Sequence, residues 1–164
     1  MKIVSSFPMN PIFNILSGTW FIISTNFPMW LDGSKTNPTF TYTVSAKNDR
    51  LIDLVSYQKN GKTKTINGFD YHSKENEKAF TWRGKGLLRI AKSNWEIRLI
   101  DEKEEWAVIW FSKTLFTPEG VDIISKNSKL DNAIIEKIKT QVLNDSLLKR
   151  HVGSLVNLPI SLLE

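Results

Sequence analysis

Residues 16–30 read LSGTWFIISTNFPMW, with Trp20 and Trp30 ten positions apart. The run from Gly18 to Thr25 is rich in Ile, Thr and aromatic side chains, which suit the pleated, half-buried surface of a sheet, so a strand is expected there. Residues 26–38 then read as a long loop, punctuated by Pro28, Asp32-Gly33 and Asn37-Pro38. A plain core strand needs neither the Gly18-Thr19-Trp20 step nor the apolar cluster Phe27, Met29 and Trp30 that follows it. The question it raises is what the segment is built to enclose.

Working outward, short runs rich in Val, Ile, Thr and aromatics continue to residue 126. Thr39–Ser45 alternates, with Phe40, Tyr42 and Val44 on one face and threonines on the other. Strands are expected next over Leu51–Gln58 and Lys62–Tyr71. Asn60-Gly61 between them has the composition of a type I′ hairpin turn. The next strand begins AFTWRG and continues through LLRIA after a glycine kink at Gly84 and Gly86. Strands over Asn94–Ile100, Trp106–Ser112 and Val121–Ser125 complete the set.

Eight strands joined by short links form a meander. The expected fold is mainly β: an eight-stranded antiparallel up-and-down β-barrel, with a two-sheet sandwich as the competing architecture. One α-helix is expected outside the barrel at about 129–143, opened by a capping box from Ser128 to Asp131. Its stripe is Leu130, Ile134, Ile138 and Val142, with Ile135 alongside. The apolar tail, 146–164, is expected to pack back. The whole chain, 1–164, then makes a single domain with its barrel at about 17–126.

The composition is 41% hydrophobic and 24% charged, which fits a globular chain. Cysteine is absent, so no thiolate metal site or disulfide exists. MKIVSSFPMNPIFNI lacks an unbroken apolar core and a small-residue cleavage site, so no signal peptide is read there and a cytoplasmic location is expected. No stretch is long and apolar enough for an integral membrane segment. The net charge of +5 reads along the chain as scattered surface lysines, with no basic run pointing to nucleic acid.

Catalytic signatures are scarce. His72 and His151 lie far apart and in no metal-binding spacing, so no metal, cofactor or catalytic residue is assigned. Asp32, Asp53 and Asp70 could do acid–base work, but turn and surface roles account for each. The six tryptophans are more informative, four of them (Trp82, Trp95, Trp106 and Trp110) lying in or beside late strands. Such aromatics suit a packed core and a ligand cavity equally. On the strand at 106–112, Trp106, Val108 and Trp110 share one face, and Ala107, Ile109 and Phe111 share the other.

Three short motifs, in order, carry a family likeness. Gly18-Thr19-Trp20 matches the Gly-x-Trp that opens the first strand of lipocalins. Glu105-Trp106 resembles their second motif. Val121-Asp-Ile-Ile-Ser-Lys126, followed by a helix, resembles the last strand and its Leu-Ser-Arg ending. Over about residues 16–145 the chain thus resembles a lipocalin, a calycin-type barrel. It departs from the pattern in carrying Lys126 where the family has arginine, and in lacking a signal peptide and disulfide. The start and the tryptophan-rich strands are also similar to the lipocalin domain of xanthophyll de-epoxidases, without that enzyme's cysteine-rich flank.

The resemblance implies a barrel open at one end that carries a small hydrophobic molecule such as a fatty acid, retinoid or terpenoid. It implies that Gly18, Trp20 and Lys126 close the other end. Phe27, Met29 and Trp30 would form a lid, and Phe40, Tyr42, Trp82, Trp95, Trp106 and Trp110 would supply the lining. Arg83, Arg89 and Arg98 are the candidates for holding a carboxylate. The alternative function is an enzyme that uses the cavity for isomerisation or ring opening of an apolar substrate, and it requires an ionisable group facing the cavity.

Overall fold

The structure, a computed structural model, describes residues 10–159. Eight antiparallel strands follow in sequence order: β1 (Gly18–Thr25), β2 (Thr36–Val44), β3 (Leu51–Lys59), β4 (Lys62–His72), β5 (Ala79–Gly84), β6 (Lys92–Ile100), β7 (Trp106–Phe111) and β8 (Gly120–Ser125). Each pairs with the next, and β1 pairs with both β2 and β8, which closes the barrel. The hairpin turn is as its composition demands, with φ of +53° at Asn60 and +70° at Gly61.

Period-two alternation puts one face of each strand inside. On β1 the inward residues begin as Trp20 and Ile22. A bulge between Ile22 and Ser24 then shifts the parity, so Thr25 stands opposite Asp122 of β8. The bulge decides what the mouth contains. Without it, Thr25 would point outward.

The lower half of the barrel is solid. A helix, α1 (Pro11–Leu16), crosses its end and buries Ile12, Phe13 and Leu16. The sequence reading has no element there, although the signal is present: Asn10 caps the Ile12 amide and Pro11 occupies the first turn. Above α1, Phe80 packs against Phe13, Trp95 stacks on Phe80 with ring centres 4.4 Å apart, and Tyr42 stacks on Trp95 at 5.8 Å.

Trp20 is fully buried and its Nε1–H donates to the Leu16 carbonyl oxygen at 2.8 Å. Lys126 holds its ammonium 5.0 Å from the Trp20 ring centre. Such a contact at an exposed site is worth about 0.5–1 kcal/mol. Lys126→Ala should therefore cost about that much in urea unfolding followed by tryptophan fluorescence. Lys126→Arg, which adds a planar stack, should cost nothing.

The helix after the barrel, α3 (Asn132–Val142), is shorter than the expected 129–143. Its N-cap is Asp131, whose carboxylate accepts from the Ala133 amide, so Ser128 does not open a capping box. The buried stripe is Ile135, Ile138 and Val142, while Ile134 is exposed. Spacings of three and four together follow 3.6 residues per turn, whereas a strict spacing of four drifts off one face. From this stripe Ile138 and Val142 meet Val108, Val121 and Ile123 on the barrel's outer face, together with Leu148 and Leu155 of the tail.

Further differences concern the loops. LLRIA does not continue β5: Gly86–Leu88 is a short 3-10 turn that leaves Leu87 and Ile90 exposed. Residues 26–35 contain a one-turn helix, α2 (Pro28–Leu31). β2 starts earlier than expected, at Thr36, with Pro38 accommodated where the register shifts between Thr36 and Thr39. After a second 3-10 turn at Lys149–Ser154, a two-residue strand, β9 (Val156–Asn157), pairs with Ser24 and Thr25. The expected helix–tail region thus packs back on the barrel up to residue 159, and residues 160–164 lie outside the described part.

Candidate functional site: the upper barrel cavity

Above Tyr42 and Trp95 the barrel holds a cavity of about 320 Å³. Phe40, Val55 and Ile66 form one wall, in register across β2, β3 and β4. Trp82 and Ser93 continue it, and Phe111 stands opposite Phe27. Trp82 fits because Gly68 beside it has no side chain; a Cβ there would lie 2.3 Å from the indole nitrogen. Leu88, Thr114, Phe116 and Thr117 rim the mouth from two loops.

Of the residues the sequence assigned to a ligand, Phe27, Met29, Trp30, Phe40 and Trp82 border this cavity. α2 turns Trp30 inward, where it is buried edge-on against Tyr57. Tyr42 and Trp95 lie beneath the cavity, in the solid half. Trp106 and Trp110 lie on the other side of the wall altogether. They belong to the outer cluster under α3, because the inward parity of β7 is Ala107, Ile109 and Phe111. Phe111 takes the place in the lining that the sequence reading gave to those tryptophans.

The interior holds three buried aspartates, Asp53, Asp70 and Asp122, of which the sequence reading names the first two and not the third. Asp122 is 1% exposed and borders the cavity. The Thr25 hydroxyl bonds to its carboxyl group, while Oδ1 has no partner among the described residues. Burial pushes its pKa up to about 7, against the lowering effect of the Thr25 bond. The only sequence signal is a lone acidic residue at inward parity in Gly-Val-Asp-Ile-Ile.

Asp53 and Asp70 are likewise not surface or turn residues. They are buried together on β3 and β4, below the cavity. The Trp95 Nε1–H donates to Asp70 Oδ1 at 2.8 Å. Burial raises Asp70 to about 7, against that bond and its contact with Asp53. Asp53 is raised well above the carboxylate range by burial and by Asp70 beside it. Two carboxyls in one dry site hold a proton between them. Tyr42 is pushed up as well, by burial and then by the three aspartates.

The remaining candidates lie elsewhere. Asp32 caps a turn at the Ser34 amide. His72 sits at the closed end between Phe13 and Phe80, and His151 bonds to Glu119 and Asn26 outside the cavity. Arg98 pairs with Glu96 and Asp145 on the outer surface, and Arg83 and Arg89 are exposed. No described group of three or more histidine, aspartate or glutamate side chains is placed to hold a metal. No described helix is long and apolar enough to cross a membrane.

No protein-family model and no curated protein sequence matches the chain. Solved structures do. Insecticyanin from the tobacco hornworm Manduca sexta aligns with a TM-score of 0.69 and 13% identity, over 90% of this chain and 80% of that one. Lobster apocrustacyanin A1 aligns at 0.67 and 14%, over 90% and 79%. The siderocalin Ex-FABP aligns at 0.67 and 11%, over 90% and 96%. All three are lipocalins. A closed barrel of eight antiparallel strands, a helix packed outside it and these likenesses give one conclusion: the chain has the lipocalin fold.

Proposed function

We propose that the protein binds a small, mainly apolar molecule in the upper half of its barrel, with a hydrogen-bond-donating end against Asp122. The observation that carries this reading is the unpartnered Asp122 Oδ1 on a mostly aromatic and aliphatic lining, whose other polar members are Lys92, Ser93, Thr114 and Thr117. A buried acceptor without a donor costs about 1–3 kcal/mol, which a ligand hydroxyl or amine relieves. The siderocalin with which the fold aligns is described as functioning through dual ligand specificities, which agrees with a binding role for such a barrel.

The same features narrow the ligand class. The cavity volume is near the lower end of the range for small-molecule sites, about 300–1,000 Å³. The Tyr42–Trp95–Phe80 column blocks the depth that a long chain needs. A carboxylate has no hydrogen to give the orphaned Asp122 oxygen, and pairing with Lys92 on the same lining would leave that oxygen unrelieved. A compact terpenoid alcohol or amine therefore fits better than a fatty acid.

Protein purified natively and extracted with organic solvent should yield such a molecule by mass spectrometry. In displacement of a fluorescent lipophile, a terpenoid alcohol should compete better than the corresponding acid. Asp122→Leu should weaken the alcohol by about tenfold or more and leave a hydrocarbon unaffected. Equal binding of acid and alcohol would discard the donor-end assignment, and no lipophile binding at all would discard the function.

The same carboxyl favours a second reading, an isomerase chamber. Isomerisation needs a group that takes up and returns a proton, and one poised near neutrality does so well. Conversion of an apolar substrate, lost in Asp122→Asn with binding retained, would establish this activity in place of simple carriage.

A further inference from the structure

The mouth of the barrel is surrounded by exposed apolar side chains. Leu87 is 99% exposed and Ile90 79% in the β5–β6 loop, and Leu115 is 95% and Phe116 70% in the β7–β8 loop. Both loops rim the same cavity, through Leu88 and Phe116. Large apolar residues gathered on two neighbouring loops, each this exposed, mark an interaction surface.

Charge separates by barrel end in the same frame. At the open end, Lys35 lies after α2, Lys59 and Lys62 flank the hairpin turn, Lys85 and Arg89 lie in the β5–β6 loop, and Lys92 opens β6 at the cavity rim. Lys113 in the β7–β8 loop makes seven cations, against two carboxylates, Asp32 and Glu119. Glu119 is itself committed to Arg150 and His151. At the closed end, the three inter-strand turns and Lys126 hold six cations against seven carboxylates. The charge that reads as scattered along the sequence is concentrated around the mouth.

We propose that the protein docks mouth-first on an anionic lipid bilayer. The tips of the β5–β6 and β7–β8 loops enter the headgroup region, and the surrounding cations lie on lipid phosphates. Apolar tips within a basic rim complement such a surface on both counts: aliphatic side chains leave water for the interface, and each nearby cation is drawn to the negative surface potential. The closed end, with its near-balanced charge, faces away. In this pose the cavity mouth opens on the bilayer, so an apolar molecule passes between lipid and barrel without crossing water. Docking is independent of which ligand the cavity takes and is measured without one.

Flotation of the full chain tests this, using vesicles of phosphatidylcholine alone and of phosphatidylcholine with phosphatidylglycerol. The protein should float with the anionic vesicles, stay behind with the neutral ones, and be released by salt. Arg89→Glu with Lys113→Glu should weaken binding by at least about tenfold, since each cation at such a surface accounts for about fivefold. Leu87→Ser with Leu115→Ser should abolish it, and Lys47→Glu with Lys74→Glu at the closed end should change nothing. All these side chains are on loops, and unchanged near-UV circular dichroism verifies the fold. A tryptophan placed by Phe116→Trp should be quenched by brominated lipid. Equal flotation with neutral vesicles, equal loss in the closed-end variant, or an oligonucleotide that displaces the vesicles at equal charge would overturn the proposal. So would concentration-dependent self-association through Leu115 in place of vesicle binding.

Discussion

Between about pH 4 and about pH 7 the protein should lose stability as the pH rises. The direction follows from Asp70 and Asp122, both buried and both raised from 3.8 to about 7. The folded state holds their protons at a pH where the unfolded chain has released them. Their contribution is complete below the unfolded value and is lost as pH passes through the folded one. A fully buried carboxyl moved this far contributes on the order of 4 kcal/mol. Domains are stable by only about 5–15 kcal/mol, so the change is large. Thermal unfolding should occur at least about 10 °C lower at the alkaline end of the window. Glu119, pulled down to about 2 mainly by its bond from Trp110, works in the opposite sense, but only below the window. Stability should thus peak on the acid side of neutrality. Asp122→Asn should flatten part of the slope, and a melting temperature that climbs from acid to neutral pH would refute the protonated interior.

Replacing Trp95 should be the most damaging single change in the barrel. Its ring is stacked between Phe80 and Tyr42, and its Nε1–H is a hydrogen-bond donor to Asp70. Trp95→Ala removes both, at about 3–5 kcal/mol for the cavity and about 1–3 kcal/mol for the stranded acceptor. Trp95→Phe separates the two. It keeps the stack, should cost only about 1–3 kcal/mol, and should move the alkaline destabilisation to higher pH, because the bond that lowers Asp70 is gone. Urea unfolding of both variants across the pH range reads these effects, and a Trp95→Phe variant as stable as the parent chain would show that the hydrogen bond contributes nothing.

The strands were legible because their signals are local. Alternation in Thr39–Ser45 and the Asn60-Gly61 turn specify structure without knowledge of the neighbours. Parity was harder. Trp106 and Phe111 stand on opposite faces of one strand, and both faces are apolar because one meets the cavity and the other meets α3. A sequence pattern has nothing with which to tell two buried faces apart. The buried aspartates were hidden for a related reason: Asp53, Asp70 and Asp122 are far apart in sequence and share one interior only when the barrel closes. The same holds for charge. Lys59, Arg89 and Lys113 look unrelated along the chain because antiparallel connectivity sends every second turn to the same end. The question raised by LSGTWFIISTNFPMW has a divided answer: the space above Trp20 is filled by aromatics, and the space bordered by Trp30 is the cavity.

The barrel seam joins Phe21 to Ser125, across nearly the whole strand region, and β9 pairs with β1 from still farther along the chain. Closure of this kind sets a late step in assembly. During synthesis the first strand pairs with the second on one side but waits for its other partner until the eighth has emerged, and until then it presents an unpaired edge, which is where intermolecular strand pairing begins. Contacts so distant in sequence also place the protein among slow folders. Premature termination before residue 120 would therefore release more than an inactive fragment: it would release a sheet with two open edges, suited to aggregation and in need of a chaperone.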